Sequence, residues 1–251
     1  VNGSAMCWGY NSDGQLGDGT INQRNKPVAV NITSNFTSVT AGSSQTCGLL
    51  FNGSAMCWGY NSDGRIGDGT FNQRNNPVAV NTTSNFTSIT VGETYTCGLL
   101  FNGSAMCWGW NAQGQLGDGT TTNRNNSVAV NITSNFTSIS AGSGHTCGLL
   151  FNGSAMCWGY NLYGQVGDGT SGSNRLNPVA VNITPNNFIS ISVGDYYTCG
   201  ILVNGSAMCW GYNNDGAVGD GTSGTNRLNP VAVNITPNNF ISITAGYSHT
   251  C

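Results

Sequence analysis

Short apolar or alternating segments, separated by clusters of Gly, Asn and Pro, recur along the whole chain. In one stretch these segments are Val28–Asn31, Phe36–Thr40, Thr46–Phe51 and Ser54–Gly59. Each is rich in β-branched or apolar residues and is bounded by turn-forming residues, which favours strands. No helical periodicity of 3.6 residues runs long enough to compete. The pattern therefore predicts an all-β chain with about four strands in every 50 residues.

The strand pattern belongs to a sequence that repeats five times. The string Asn-Gly-Ser-Ala-Met-Cys-Trp-Gly begins at Asn2, Asn52, Asn102, Asn152 and Asn204. These starts divide a single repeat domain, 1–251, into units of about 1–50, 51–100, 101–150, 151–202 and 203–251. Four-stranded units that bury their faces only against neighbouring copies are typical of a β-propeller blade or a β-solenoid turn.

Several residues at fixed offsets in each unit resemble the regulator of chromosome condensation repeat family. In the second unit they are Cys57-Trp58-Gly59-Tyr60-Asn61, Gly64, Gly67-Asp68-Gly69-Thr70, Pro77-Val78, and Gly92 followed by Thr96-Cys97-Gly98-Leu99. The resemblance covers essentially the whole chain and implies a β-propeller of four-stranded blades, here five. The well-known propellers of this family have seven blades. Two architectures therefore stay open, a closed five-bladed ring and part of a longer tandem propeller or solenoid array.

Charge is scarce along the chain. Its 251 residues include 7 Lys and Arg against 10 Asp and Glu, so charged residues make up 7% and the net charge is −3. A chain without a basic stripe is poorly suited to nucleic acid or to an anionic membrane surface. No apolar run approaches the roughly 18 residues of a membrane span, so we expect no membrane insertion.

Ten cysteines occur as two per unit, and the turn between them sets their register. If Phe51–Gly53 is a three-residue loop with Gly53 left-handed, Cys47 lies opposite Cys57; a two-residue Asn-Gly loop places Cys47 opposite Trp58 instead. Only the first register suits a cross-strand disulfide. It predicts four bridges, Cys47–Cys57, Cys97–Cys107, Cys147–Cys157 and Cys199–Cys209.

Two other interpretations of the cysteines are metal ligands and free buried thiols. Zinc ligands usually lie two to four residues apart, whereas each cysteine pair here is separated by a hairpin. Disulfides are therefore preferred, and they imply an oxidising, extracellular or cell-surface location. Cys7 and Cys251 are left without a hairpin partner. We expect them to lie close together, either in one chain or between neighbouring copies.

Asn-x-Ser/Thr acceptor sequences are frequent. Five lie at the predicted hairpin tips, at Asn2, Asn52, Asn102, Asn152 and Asn204, and others lie at Asn31, Asn35, Asn81, Asn85, Asn131 and Asn135. Random occurrence in a chain rich in Asn and Thr is the alternative. A surface with few charges needs another source of solvation, and N-linked glycans would supply it. We expect glycans preferentially on the tips, where a sugar attaches without burial.

The sequence shows no constellation typical of an enzyme. Its two histidines, His145 and His249, occupy one loop position that is Gln or Tyr in the other units, so we interpret them as packed loop residues. No nucleophile elbow, phosphate loop or dinucleotide fingerprint occurs in a supporting context. A calcium loop at Asn11–Gly14 does not recur in the fourth unit. We expect no catalytic residue, no metal and no cofactor.

Three further residue series recur once per unit. An Asp and an Arg are interpreted as a structural pair that holds each long loop, and a Trp as blade core or packing between blades. An aromatic two residues after the Trp either packs or lines a ring that stacks on sugars. The series are Asp18, Asp68, Asp118, Asp168 and Asp220; Arg24, Arg74, Arg124, Arg175 and Arg227; Trp8, Trp58, Trp108, Trp158 and Trp210; and Tyr10, Tyr60, Trp110, Tyr160 and Tyr212.

Two functions fit this sequence. The first is a secreted, N-glycosylated, non-enzymatic scaffold, such as a subunit of an extracellular fibre whose partners are copies of itself. The alternative is an extracellular propeller that binds a protein or glycan partner through variable loops, since the units differ most around residues 12–16 and 43–45. The family's namesake nuclear exchange activity is disfavoured by the paired cysteines and the glycosylation sequences.

Overall fold

The computed structural model describes residues 3–251, so the expected glycan on Asn2 lies outside the described residues. Within that range the chain is all-β, and it contains no helix long and apolar enough to span a membrane. The strands are β1 (Met6–Gly9), β2 (Arg24–Ala29), β3 (Phe36–Ala41), β4 (Gln45–Leu50), β5 (Ala55–Gly59), β6 (Arg74–Ala79), β7 (Phe86–Val91), β8 (Tyr95–Leu100), β9 (Ala105–Gly109), β10 (Arg124–Ala129), β11 (Phe136–Ala141), β12 (His145–Leu150), β13 (Ala155–Gly159), β14 (Arg175–Ala180), β15 (Phe188–Val193), β16 (Tyr197–Leu202), β17 (Ala207–Gly211) and β18 (Arg227–Ala232).

The strands form antiparallel sheets in chain order. Four sheets have four strands, β3–β6, β7–β10, β11–β14 and β15–β18, and β1 and β2 form a two-stranded sheet. Each four-stranded sheet takes two strands from one sequence repeat and two from the next. Within residues 3–251 the five repeats form these four complete sheets and the two-stranded sheet, and residues 240–251 contribute one isolated bridge, Ala245 to Thr250.

The chain divides into two compact units. One contains the sheets β1–β2, β3–β6 and β7–β10, and the other contains β11–β14 and β15–β18. Within each unit, the first strand of one four-stranded sheet packs beside the first two strands of the sheet before it. Apolar faces are thus buried between successive sheets, as expected for blade-like repeats.

Each complete sheet is anchored by a fully buried tryptophan, as the sequence predicted. The Trp58 ring lies 5.8 Å from the Phe36 ring, and its Nε1 donates a hydrogen bond to the Gln15 carbonyl at 2.9 Å. Gly17 allows this approach, because a Cβ added there would lie 2.6 Å from the Trp58 ring. Trp108, Trp158 and Trp210 are equally buried, whereas Trp8 on the two-stranded sheet is 61% exposed.

The hairpin between β4 and β5 adopts the three-residue loop that the sequence favoured. The Leu50 amide donates to the Ser54 carbonyl at 2.9 Å, and Gly53 has φ of 82°. Cys47 is consequently directly opposite Cys57. Disulfides join this pair and its three counterparts, Cys97–Cys107, Cys147–Cys157 and Cys199–Cys209, each with a Cα–Cα distance of 4.1 Å.

Cys7 and Cys251 are free thiols, so the bridge expected between them is not formed in this structure. Among the described residues β1, which contains Cys7, pairs with β2 alone, and Cys251 pairs with Thr244. Neither therefore has the hairpin neighbour that brings the other cysteines together. Burial raises the pKa of the Cys7 thiol, which keeps it protonated. Their proximity stays a prediction.

Candidate functional site

The two variable segments, the turn of one repeat and the long loop of the next repeat, meet at one end of each complete sheet. In the β11–β14 sheet, the turn between β11 and β12 and the long loop between β13 and β14 lie at the same end, because the strands are antiparallel. A hydrogen bond joins them, from the Tyr160 amide to the Gly144 carbonyl at 2.9 Å. We call this the loop end. The Asn-Gly hairpin tips lie at the opposite end, the tip end.

A buried asparagine holds each long loop in shape. Asn61 donates from Nδ2 to the carbonyls of Thr70 and Asn72 at 3.1 and 3.0 Å, and its Oδ1 accepts from the Ile66 amide at 2.9 Å. Asn11, Asn161 and Asn213 make comparable contacts. Sequence reasoning missed this role. The available signal was an Asn directly after Trp-Gly-aromatic in all five repeats.

The predicted Asp–Arg pairs close the same loops. Arg74 Nε contacts Asp68 Oδ2 at 2.6 Å, and Asp68 Oδ1 also accepts from the Thr70 amide at 3.0 Å. Desolvation raises the pKa of Asp68, but hydrogen bonds from Thr70 and Arg74 outweigh it, so the pKa is lowered overall. The pairs Asp18–Arg24, Asp168–Arg175 and Asp220–Arg227 have the same geometry. These pairs are structural, as predicted.

Four half-buried tyrosines form one cluster at the loop end of the second compact unit. Tyr163 lies centrally, with its ring centroid 5.0 Å from that of Tyr212, 5.5 Å from that of Tyr196 and 6.1 Å from that of Tyr160. The rings meet edge to face, at 62° to 84° in these three contacts, an arrangement that aromatic pairs favour. Burial, and then the neighbouring Tyr163 hydroxyl, raise the pKa of Tyr160.

Two of these tyrosines are specific to this part of the chain. The positions of Tyr163 in the other repeats hold Asp13, Asp63, Gln113 and Asp215, and those of Tyr196 hold Ser44, Thr94, Gly144 and Ser248. Both lie in the segments that the sequence identified as variable. The structure brings them into contact although they are 33 residues apart in the sequence, which no local pattern indicated.

The loop end of the first compact unit uses an arginine at the corresponding place. The Arg65 guanidinium lies over the Tyr60 ring, 4.8 Å from its centroid, and its Nη2 contacts Asp63 Oδ2 at 2.5 Å. Its Nη1 also donates to the Glu93 carbonyl at 3.1 Å and to Gln45 Oε1 at 3.3 Å. A ring face, a carboxylate and carbonyl oxygens thus hold one guanidinium.

The two histidines differ in environment. His145 is fully buried, as predicted for a packed residue, and its Nε2 lies 2.8 Å from Thr198 Oγ1. Burial lowers its pKa to about 3, so the ring is neutral and a weak base at physiological pH. His249 is exposed, and its carbonyl accepts a hydrogen bond from the Tyr197 hydroxyl. Within residues 3–251, no three His, Cys, Asp or Glu side chains group as a potential metal site.

The glycosylation sequences fall into two structural groups. At the tip end Asn52, Asn102, Asn152 and Asn204 are exposed, and the Asn52 side-chain oxygen accepts from the Ser54 amide. Asn31, Asn81 and Asn131 are exposed as well, but their amide nitrogens, the atoms a glycan would modify, donate to Asn76, Asn126 and Asn177 at 2.7 to 2.9 Å. Asn35, Asn85 and Asn135 are exposed. The preference for the tips stays a prediction.

Comparison with known families and structures places these features in context. The regulator of chromosome condensation (RCC1) repeat matches residues 2–49, 52–99, 102–149, 152–201 and 204–251, and a second description of the same repeat matches 36–65, 86–115, 136–165 and 188–217. No curated protein matches the chain by sequence.

Solved structures similar to the chain include human WBSCR16, with a TM-score of 0.87 at 18% identity over 100% of this chain and 67% of that one. Prp20p from Saccharomyces cerevisiae, studied for binding to Gsp1p and histones, has a TM-score of 0.83 at 21% identity over 99% of this chain and 64% of that one. The ectodomain of the Physcomitrella patens receptor kinase CR4 has a TM-score of 0.57 at 21% identity, over 88% and 48%. At these identities the likeness shows the fold, an all-β chain of the propeller class.

Proposed function

The chain belongs to the regulator of chromosome condensation (RCC1) repeat family, and from that premise we propose that it is an extracellular, non-enzymatic binding protein whose loop end recognises a protein partner. The observation that carries this proposal is the tyrosine cluster. Half-buried tyrosines offer large contact areas at a small cost in side-chain entropy, and aromatic residues are enriched in binding interfaces. Two of the four are residues that the other repeats lack.

The extracellular location is supported by the disulfides. Four buried bridges staple one hairpin in each complete sheet, and such bridges persist in oxidising compartments. The similar receptor-kinase structure from Physcomitrella patens is an ectodomain. A chain with only 7% charged residues also favours N-linked glycans on the exposed tips.

A matched pair of variants tests the proposed function. The loop-end variant carries Tyr163→Gln and Tyr196→Thr, which are residues that other repeats hold at these positions. The tip-end variant carries Phe101→Ser and Phe151→Ser, which removes two aromatic side chains that are 76% and 75% exposed. Secreted baits are cross-linked to native extracellular material, and the captured proteins are quantified by mass spectrometry.

We expect a partner that the wild-type protein and the tip-end variant capture equally and that the loop-end variant loses. A partner lost only with the tip-end variant would contradict recognition through the loop end. Near-ultraviolet circular dichroism of both variants checks that the fold is retained.

A structural scaffold, such as a fibre subunit made of copies of this chain, is the second candidate. It is favoured by the repetition of one strand register in all four complete sheets, since equivalent surfaces suit an ordered assembly. Electron microscopy of native material tests it. Continuous filaments containing the chain support the scaffold, and discrete particles exclude the fibre.

A further inference from the structure

The chain contains its own example of an arginine-binding loop. Around Arg65, the Tyr60 ring supplies an aromatic face, the Asp63 carboxylate supplies the counter-charge and the Glu93 carbonyl accepts a hydrogen bond. Here the arginine belongs to the same loop as the tyrosine and the aspartate. The site is therefore satisfied internally.

The loop between β17 and β18 has two of these groups, the tyrosine and the aspartate, without the arginine. Tyr212 and Asp215 occupy the positions of Tyr60 and Asp63, but Ala217 replaces Arg65. The loop keeps the same scaffold, because Asn213 Oδ1 accepts from the Val218 amide at 3.1 Å, as Asn61 does from Ile66. A cavity of about 440 Å³ borders both Asp215 and Ala217, and Ser248, His249 and Cys251 also line it.

The surroundings add aromatic surface. Tyr163 and Tyr196 contact the Tyr212 ring with centroid distances of 5.0 and 6.3 Å. Rings packed edge to face leave negatively polarised outer faces, on which a guanidinium stacks well. The first compact unit has the single Tyr60 ring over its arginine, whereas this site has a cluster of rings.

The charges of these loops favour a cation. Residues 160–174, 194–197 and 212–226 contain four aspartates and no Lys, Arg or His. Two of the aspartates, Asp168 and Asp220, are neutralised by Arg175 and Arg227. Asp195 is buried and Asp215 is exposed. The exposed Asp215 carboxylate therefore lies on the same loop as Tyr212, and His249 is the only basic residue among those that line the cavity beside it.

We propose that Tyr212, Asp215 and the adjoining Tyr163 and Tyr196 bind the guanidinium group of an arginine presented by a protein partner. This inference rests on the proposed function and names the chemistry of the partner. The arginine would stack on the tyrosine cluster and pair with Asp215, reproducing from outside what Arg65 does from within. Arginine is favoured over lysine because its planar group both stacks and forms paired hydrogen bonds.

Peptide binding to the full chain tests the inference. The probe is acetyl-Gly-Arg-Gly-amide, compared with the same peptide containing lysine or citrulline, the neutral isostere of arginine. Titrations are followed by the NMR signals of the tyrosine rings. We expect the arginine peptide to bind at least about 10-fold more tightly than the citrulline peptide. Equal binding of the three peptides would overturn the proposal. So would tyrosine NMR signals that do not shift when the arginine peptide is at millimolar concentration and in 20-fold excess over the protein.

Variants of the same chain localise the site. Ala217→Arg should abolish peptide binding, because the new arginine would occupy the site as Arg65 does. Asp215→Asn should weaken binding about 5- to 10-fold. Asp13→Asn is the matched control and should leave peptide binding unchanged. The residue two positions after Asp13 is Gln15, whereas the residue two positions after Asp215 is the small Ala217.

Unchanged binding in Ala217→Arg, or an equal loss in Asp13→Asn, would overturn the assignment. The outcome is separable from the proposed function. If the loop-end variant loses its partner while Ala217→Arg keeps it, the arginine inference fails and recognition through the loop end stands. Retained tryptophan fluorescence of each variant shows that its fold is intact.

Discussion

Acidification from pH 8 to pH 5 should destabilise the protein through one buried side chain, His145. The ring is fully buried and its pKa is lowered to about 3, from an ordinary value of 6.5, because burial disfavours the charged form. The unfolded chain therefore binds a proton between these two pH values that the folded chain does not. Stability is full above about pH 6.5 and is lost as the pH falls towards 3.

The size of the effect follows from the linkage between proton binding and folding. A pH of 5 lies about 1.5 units below the pKa of the imidazole in the unfolded chain. Each unit is equivalent to about 1.4 kcal/mol, so the free energy of unfolding falls by about 2 kcal/mol. The aspartates of the ion pairs do not contribute in this range. The pKa of Asp68, for example, lies below 3.8, so its stabilisation is lost only at lower pH.

His145→Gln isolates the contribution. Glutamine is the natural residue at this position in the first repeat, where the buried Gln45 donates from Nε2 to the Gly92 carbonyl at 3.0 Å. Urea unfolding at pH 8 and pH 5, followed by tryptophan fluorescence with the disulfides intact, gives the free energy of unfolding for both chains. We expect the wild-type protein to lose about 2 kcal/mol more than the variant between the two pH values.

Equal losses in the two chains would refute the reasoning, since they would mean that His145 titrates alike in the folded and unfolded states. An NMR titration of the His145 ring gives an independent answer if the variant folds poorly. The ring signal should stay that of the neutral form from pH 8 to pH 5. A midpoint near 6.5 in the folded protein would contradict its burial.

Three further predictions concern the staples, the packing and the glycans. Replacing Cys47 and Cys57 together by Ser should lower the free energy of unfolding by about 2–3 kcal/mol, measured by denaturant unfolding, because a loop of about ten residues is released in the unfolded chain; no loss would mean the bridge is absent in solution. Gly67→Ala should raise strain and lower the melting temperature, because φ is 75° and a Cβ would lie 2.7 Å from a buried tryptophan ring; an unchanged melting temperature would argue against this packing. Asn52→Gln should remove one glycan from the secreted protein in an intact-mass measurement and Asn81→Gln should not, and the reverse result would contradict the preference for exposed tips.

Local turn chemistry explains which parts of the fold were predictable. The Asn52-Gly53 signal, with Gly53 left-handed, sets the hairpin loop, and the loop sets the Cys47–Cys57 register. The points along the chain at which one sheet ends and the next begins were not predictable in the same way. In a periodic sequence any four consecutive strands look like one blade, and only the observed pairing shows that β3 and β4 join strands of the following repeat.

The candidate site was predictable only in outline. Unequal residues around positions 12–16 and 43–45 indicated where recognition would lie, but contact between Tyr163 and Tyr196 depends on tertiary packing across two sheets. The role of Asn61 was missed although its position recurs in every repeat, because a buried polar hub looks like an ordinary turn residue in the sequence.

The central claim, a disulfide-stapled extracellular propeller protein, is tested most directly by peptide mapping of the protein purified from its natural source without reduction. The account predicts peptides in which Cys97 is joined to Cys107 and Cys147 to Cys157, with the same pairing in the other two hairpins and no alkylatable thiol at these positions. Free thiols at these cysteines in the native protein would contradict both the four disulfides and the proposed extracellular location.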